Sequence, residues 1–104
     1  MIKVAVIGGT DFMTDNMCLV SKYEDYDILV VSYMSCTMLA KCALGLDEDF
    51  VRALLNKKRI YVLSQGLQYK KIDDRIIFQM YSVYRRNLQG YGVRFINSAE
   101  DIKL

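Results

Sequence analysis

Residues 27–49 read DILVVSYMSCTMLAKCALGLDED, and their reading decides the fold. Ile28 to Val31 are continuously apolar and mostly β-branched, the composition of a strand buried on both faces. Hydroxyls then appear at Ser32, Ser35 and Thr37, and the spacing changes to a helical period over Cys36–Leu44. Gly45 closes that helix, because glycine takes the left-handed backbone past a helix end at no steric cost. A strand running straight into a helix is the unit of a parallel α/β sheet. Ligands of such sheets sit beyond the carboxyl ends of the strands, where the next helix points its free N–H groups. Ser32, Ser35 and Thr37 stand at that place, with Tyr33 or Met34 available to pack on a flat ring. Ser35 has a second role open to it, as the cap of the helix.

Three further runs, Ile2–Ile7, Arg59–Leu63 and Val93–Ile96, are nearly continuous in hydrophobicity rather than alternating. Helical patterns fall between them. Thr14–Tyr23 is one, with Thr10, Asp11 or Thr14 as its cap, and Asp47–Asn56 is another, with three acids where the helix dipole favours anions. Asp73–Gln89 is the longest, and Ser98-Ala-Glu-Asp101 is a capping-type start for a short terminal helix. The expected fold is α/β, a three-layer Rossmann-like or flavodoxin-like domain over residues 1–104. Its open parallel sheet has about four strands, with Ile2–Ile7 and Ile28–Val31 central and helices on both faces. The helix over Asp73–Gln89 has a wider apolar face, Met80 to Leu88, than one small sheet covers, so a homo-oligomer is expected.

Composition narrows the function. The chain has 104 residues and no histidine, which excludes an imidazole base from this subunit. Net charge is +2, with the bases dispersed, so solvated faces explain them better than a nucleic-acid partner. No apolar run reaches membrane-spanning length, and MIKVAVIGG at the start reads as strand and turn rather than leader. A cytoplasmic protein with no membrane partner is the expectation. The three cysteines, Cys18, Cys36 and Cys42, have no paired spacing, which signals neither a disulfide framework nor a metal site. Asp47, Glu48 and Asp49 lack the rest of a calcium loop, so no metal is expected.

Two more turns share the presumptive ligand end of the sheet. Gly8-Gly9-Thr10 follows the first strand, where glycines admit a ligand to the backbone and Thr10 can donate to a phosphate. It is neither a dinucleotide fingerprint nor a Walker motif, and a plain turn with Asp11 as cap reads equally well. Ser64–Tyr69 follows the third run and either completes a pocket or is a polar loop. The candidate ligand set is therefore Gly8, Gly9, Thr10, Ser32, Met34, Ser35 and Thr37. A sugar-transport phosphocarrier of this length needs a cysteine directly after the first strand, where this chain has Gly8-Gly9-Thr10.

Asp27–Val31, Leu39–Ala43 and Gly45–Asp49 together resemble the homo-oligomeric flavin-containing cysteine decarboxylase superfamily. Leu54–Leu63, Gly66–Lys70 and the ending Met80-Tyr81, Leu88, Tyr91–Val93 are similar to flavoprotein-like proteins encoded with ethanolamine or propanediol microcompartment genes. The resemblance implies FMN as cofactor, microcompartment proteins as possible partners, and an accessory role in ethanolamine or propanediol utilisation. Two departures qualify it. The family's proline falls on Ser32 and its Asn-Thr pair on Thr37-Met38, and about twenty residues separate Ile7 from Asp27, too few for the segment bearing the family's catalytic histidine. Decarboxylation is accordingly not expected. The alternative is a non-enzymatic oligomerising or scaffold subunit that has lost its cofactor.

Overall fold

Strands β1 (Ile2–Ile7), β2 (Met17–Val20), β3 (Ile28–Val31), β4 (Arg59–Leu63) and β5 (Arg94–Ile96) form one all-parallel sheet in the order β2-β1-β3-β4-β5. This computed structural model describes residues 1–103; Leu104, the last residue of the expected domain, lies outside the described residues. Helices α1 (Cys36–Ala43) and α2 (Glu48–Leu55) connect β3 to β4, and α3 (Arg75–Gly90) connects β4 to β5. The Rossmann-like, flavodoxin-like α/β class expected from the apolar runs is the one observed, with β3 central and β1 interior.

Alternation along the strands makes two cores. Ala5, Leu29, Val31, Ile60 and Val62 point to one face and meet Leu39, Cys42, Phe50, Ala53 and Leu88 of the three α-helices. Phe50 and Leu88 are fully buried, and each such side chain contributes about 1.5–3 kcal/mol by leaving water. Val4, Ile28, Val30 and Tyr61 point the other way, to Met17, Phe12, Met13, Ala99 and Ile102. That second face carries a loop and the 3₁₀ turn Ala99–Asp101 in place of an α-helical layer. The α/β parallel-sheet class holds, but the α-helices all lie on one face, and this single turn stands where a second helical layer was expected.

The helix expected over Thr14–Tyr23 is absent. Met17–Val20 is instead the edge strand β2, raising the strand count from about four to five. Thr10 and Thr14 cap nothing; their carbonyls accept from Met13 and Met17 N–H at 3.0 and 3.1 Å and open two consecutive turns. Met17, Cys18 and Leu19 are not β-branched, and Met and Leu favour helix, so pairing with β1 rather than local preference makes this segment a strand. Met17 is buried, Cys18 and Leu19 are exposed, and Val20 is half-buried. Met17 in fact packs on the second core and Val20 on the first, from opposite faces of one strand.

The remaining helices begin where their polar residues direct. The side chains of Ser35, Asp47 and Asp74 accept the N–H groups of Met38, Phe50 and Ile77 at 3.1, 2.9 and 2.9 Å. Among the described residues no helix is long and apolar enough to cross a membrane.

Candidate functional site

The chain leaves β1 in one direction to reach β2, then returns to β3 on the other side of β1. The turns after β1 and β3 therefore diverge and open a crevice at their carboxyl ends, the place where doubly wound sheets bind ligands. Gly8 and Ser32 form its floor. Gly8 has a φ of 110°, and a methyl there would stand 2.5 Å from Ser32 Oγ and 2.8 Å from Tyr33 N. Ser32 Oγ donates to the Gly9 carbonyl at 2.6 Å, tying the two turns together.

A cleft of about 620 Å³ rises from that floor, bounded by the ends of β1, β3, β4 and β5. Its size falls within the usual range for a small-molecule site. Phe12 and Leu63 supply apolar walls; Gln65, Asn97 and Ser98 supply a polar edge, with the Gln65 side-chain amide donating to the Asn97 carbonyl. Asp11 is the one ionisable side chain among the lining residues, and no cation joins it there.

Of the seven expected ligand residues, Gly9 and Ser32 line the cleft, and Gly8 supports them from below. Thr10 is exposed in the turn after β1, and no helix N-terminus follows it, so the expected phosphate turn at Gly8-Gly9-Thr10 lacks the helix that would face an anion. Ser35 takes the capping role, and Thr37 is exposed in the first turn of α1. Met34 is 1% exposed, which leaves it no surface to pack on a ring; Phe12 is the aromatic side chain that lines the cleft.

Residues of the expected helix and loops proved to be the walls. Phe12 lies in a segment read as a helix start, where an inward aromatic carries no ligand signal. Gln65 sits in Ser64–Tyr69, whose pocket-completing alternative the geometry bears out. Gly66 holds that loop in place: its carbonyl accepts from Met34 N at 2.9 Å, and a side chain on it would overlap the Ser32 carbonyl. Asn97 and Ser98 gave no sequence signal beyond a cap.

The acidic run is committed to structure. Asp47 caps α2, while Asp49 pairs with Lys22 at 2.7 Å and Arg52 at 3.1 Å. The Lys22 ammonium, bonded to Asp49, holds that carboxyl below the usual carboxylate range. Cys42 is buried under α1, and burial, reinforced by Asp47, pushes its thiol up to about 12.

With this geometry in hand, the chain can be set beside known proteins. A solved structure of PPC decarboxylase, a cysteine-to-serine mutant complexed with pantothenoylaminoethenethiol, has the same fold. The two share 16% identity with a TM-score of 0.50, over 81% of this chain and 56% of that one. This chain thus spans little more than half of that protein's length. No protein-family model matches it, and no curated protein does.

The residues present fit a flavin in part. The cleft offers a flat apolar wall in Phe12 and donors and acceptors along one edge, as an uncharged ring requires. Asp11 makes the cleft itself unfavourable to a phosphate. The amides at the start of α1, beside Thr37, are the anion-accepting group at this sheet end.

Proposed function

We propose that this chain is a flavin-class binding protein of the flavodoxin-like type, without decarboxylase chemistry of its own. The sheet order β2-β1-β3-β4-β5, with a cleft at the β1/β3 divergence, carries the reading, because the flavodoxin fold, of this same order, holds FMN at that switch point. The structural likeness to a decarboxylase of the same fold and the resemblance of residues 26–96 to flavin-containing decarboxylases support it.

Phe12 and Leu63 sandwich the ring edge, and Gln65 and Asn97 bond its polar margin. Ser32 and Gly9 form the floor, and the phosphate lies toward the start of α1. A bound flavin supplies the electron chemistry; the chain's own contribution is to exclude water and orient the ring. We place this accessory role in ethanolamine or propanediol utilisation, on the strength of the resemblance in residues 54–93.

Titration with riboflavin and FMN, followed by flavin fluorescence, tests the proposal. Both should bind, FMN the tighter, and Phe12→Ala should weaken each by roughly 5- to 150-fold. No binding of either up to about 1 mM overturns the reading.

A second reading, an oligomerising subunit that has lost its cofactor, is favoured by α3. Ile76, Met80 and Val83 are 77%, 43% and 45% exposed at helical spacing, forming an apolar stripe that belongs to neither core among the described residues.

A further inference from the structure

At the other end of the sheet, where β4 and β5 begin, lies a second cavity of about 450 Å³. Lys57, Lys58, Arg59, Arg94 and Lys103 all line it, five of the 14 basic residues in a chain whose net charge is +2. No carboxylate is among the lining residues. Lys58 Nζ is bonded to Asp25 at 3.0 Å over the Tyr26 ring, toward a neighbouring cavity, and among the described residues the other four cations, which carry the site, have no ion-pair partner. A solvated charged face spreads its cations over a convex surface; here they converge on a concavity, which focuses positive potential.

The backbone adds an independent sign. Lys57 has a φ of 56°, the sole left-handed non-glycine residue among those described, at the position just past α2 that ordinarily takes glycine. Non-glycine residues held in this region cluster where a side chain serves a ligand. Arg59 and Arg94 emerge from adjacent strands: Arg94 is in register with Tyr61, two residues beyond Arg59, so both guanidinium groups leave the same face. One Arg59 nitrogen donates to the Lys103 carbonyl, leaving further donors of its planar fork for an incoming oxygen.

We propose that this cavity binds a small anion bearing two or more phosphoryl groups. Two arginine forks match phosphoryl oxygens in pairs, and the lysines neutralise the remaining charge as point cations. A half-open cavity of about 450 Å³ suits a compact ligand better than an extended strand, whose contacts need a continuous basic track. The site is independent of the flavin cleft: the two share no lining residue and lie at opposite ends of the strands.

Calorimetric titration of the full chain with pyrophosphate, and separately with ATP, at constant ionic strength tests the proposal. Both should bind, and the affinity should fall about ten-fold or more in Arg94→Gln and in Lys103→Gln, while Lys70→Gln on the distant basic pair changes nothing. Lys57→Gly is the decisive variant. It relieves the left-handed backbone, so it should melt at a higher temperature than the wild type while binding pyrophosphate more weakly. Binding of ATP without pyrophosphate would relocate recognition to the base and overturn the proposal. So would saturation by a single-stranded oligonucleotide alone, or pyrophosphate affinity that all three variants leave unchanged.

Discussion

Ser32 spans the crevice between β3 and β1, its hydroxyl donating to the Gly9 carbonyl at 2.6 Å directly above the α-carbon of Gly8. The two glycines of this turn are consequently not equivalent. Gly8 has a positive φ and no room for a methyl; Gly9 has open space around it. Gly8→Ala should destabilise the protein by about 1–3 kcal/mol from backbone strain alone, while Gly9→Ala should stay within roughly 0.5 kcal/mol of the wild type. Urea unfolding of the two variants checks this, and equal midpoints would show the crevice to be looser than the Ser32 bond implies.

Asp49 joins the 21–27 connection to α2 through Lys22 and to its own helix through Arg52. Its carboxyl is held low in the folded chain, so the unfolded chain binds more protons in the acid range and stability rises with pH there. The contribution is fully present above about pH 4 and is lost as pH falls through the depressed folded value. Because these groups are solvent-accessible, Asp49→Asn should cost about 1 kcal/mol at neutral pH and low salt. Thermal melts should show that difference shrinking below about pH 4, and a difference independent of pH would contradict the ion-pair account.

The strands were legible because parallel strands buried on both faces advertise themselves as unbroken apolar runs, as at Ile28–Val31. The start of α1 was legible through its capping side chain, Ser35, whereas the caps Asp47 and Asp74 of the other two helices emerged only in the structure. β2 was not, because Met17-Cys18-Leu19 lacks β-branched residues and includes Met and Leu, which favour helix, and only pairing with β1 makes the run a strand. The site was legible as a place rather than as a list. Position after a strand pointed to Gly9 and Ser32, whereas Phe12, Gln65 and Asn97 come together through tertiary closure that no local spacing encodes. Met34 illustrates the converse: its neighbours are ligand-like, but its bridge to Leu67 draws it inside.

The three thiols should separate by reactivity. Cys18 is exposed on the edge strand, Cys36 is half-buried, and Cys42 is buried with its thiol held protonated by the apolar surroundings. Iodoacetamide near pH 8 should modify Cys18 first and Cys42 upon unfolding, as peptide mass mapping with and without denaturant will show. Early modification of Cys42 would mean that α1 opens readily from the sheet.

The exposed stripe of α3 sets up a test of self-association. Met80→Lys should leave the melting temperature within a few degrees of the wild type, since the side chain is not part of either core. Light scattering should nonetheless report a smaller particle than the wild type at micromolar concentration. A wild type that is already monomeric there removes the scaffold reading.

Phe12 and Ala99 each have two duties, as walls of the cleft and as cover for the second core. Occupancy and local unfolding of that underside are thereby thermodynamically linked: a molecule seated against Phe12 is counted in the protection of Val4, Ile28 and Val30 behind it. Amide exchange across residues 10–16 and 97–102 should then slow as one cooperative unit on ligand addition, while the helical side keeps its own rate. A sheet clad by helices on one side and by a loop on the other has a resident layer and, if the proposed ligand binds, a second layer that the ligand completes.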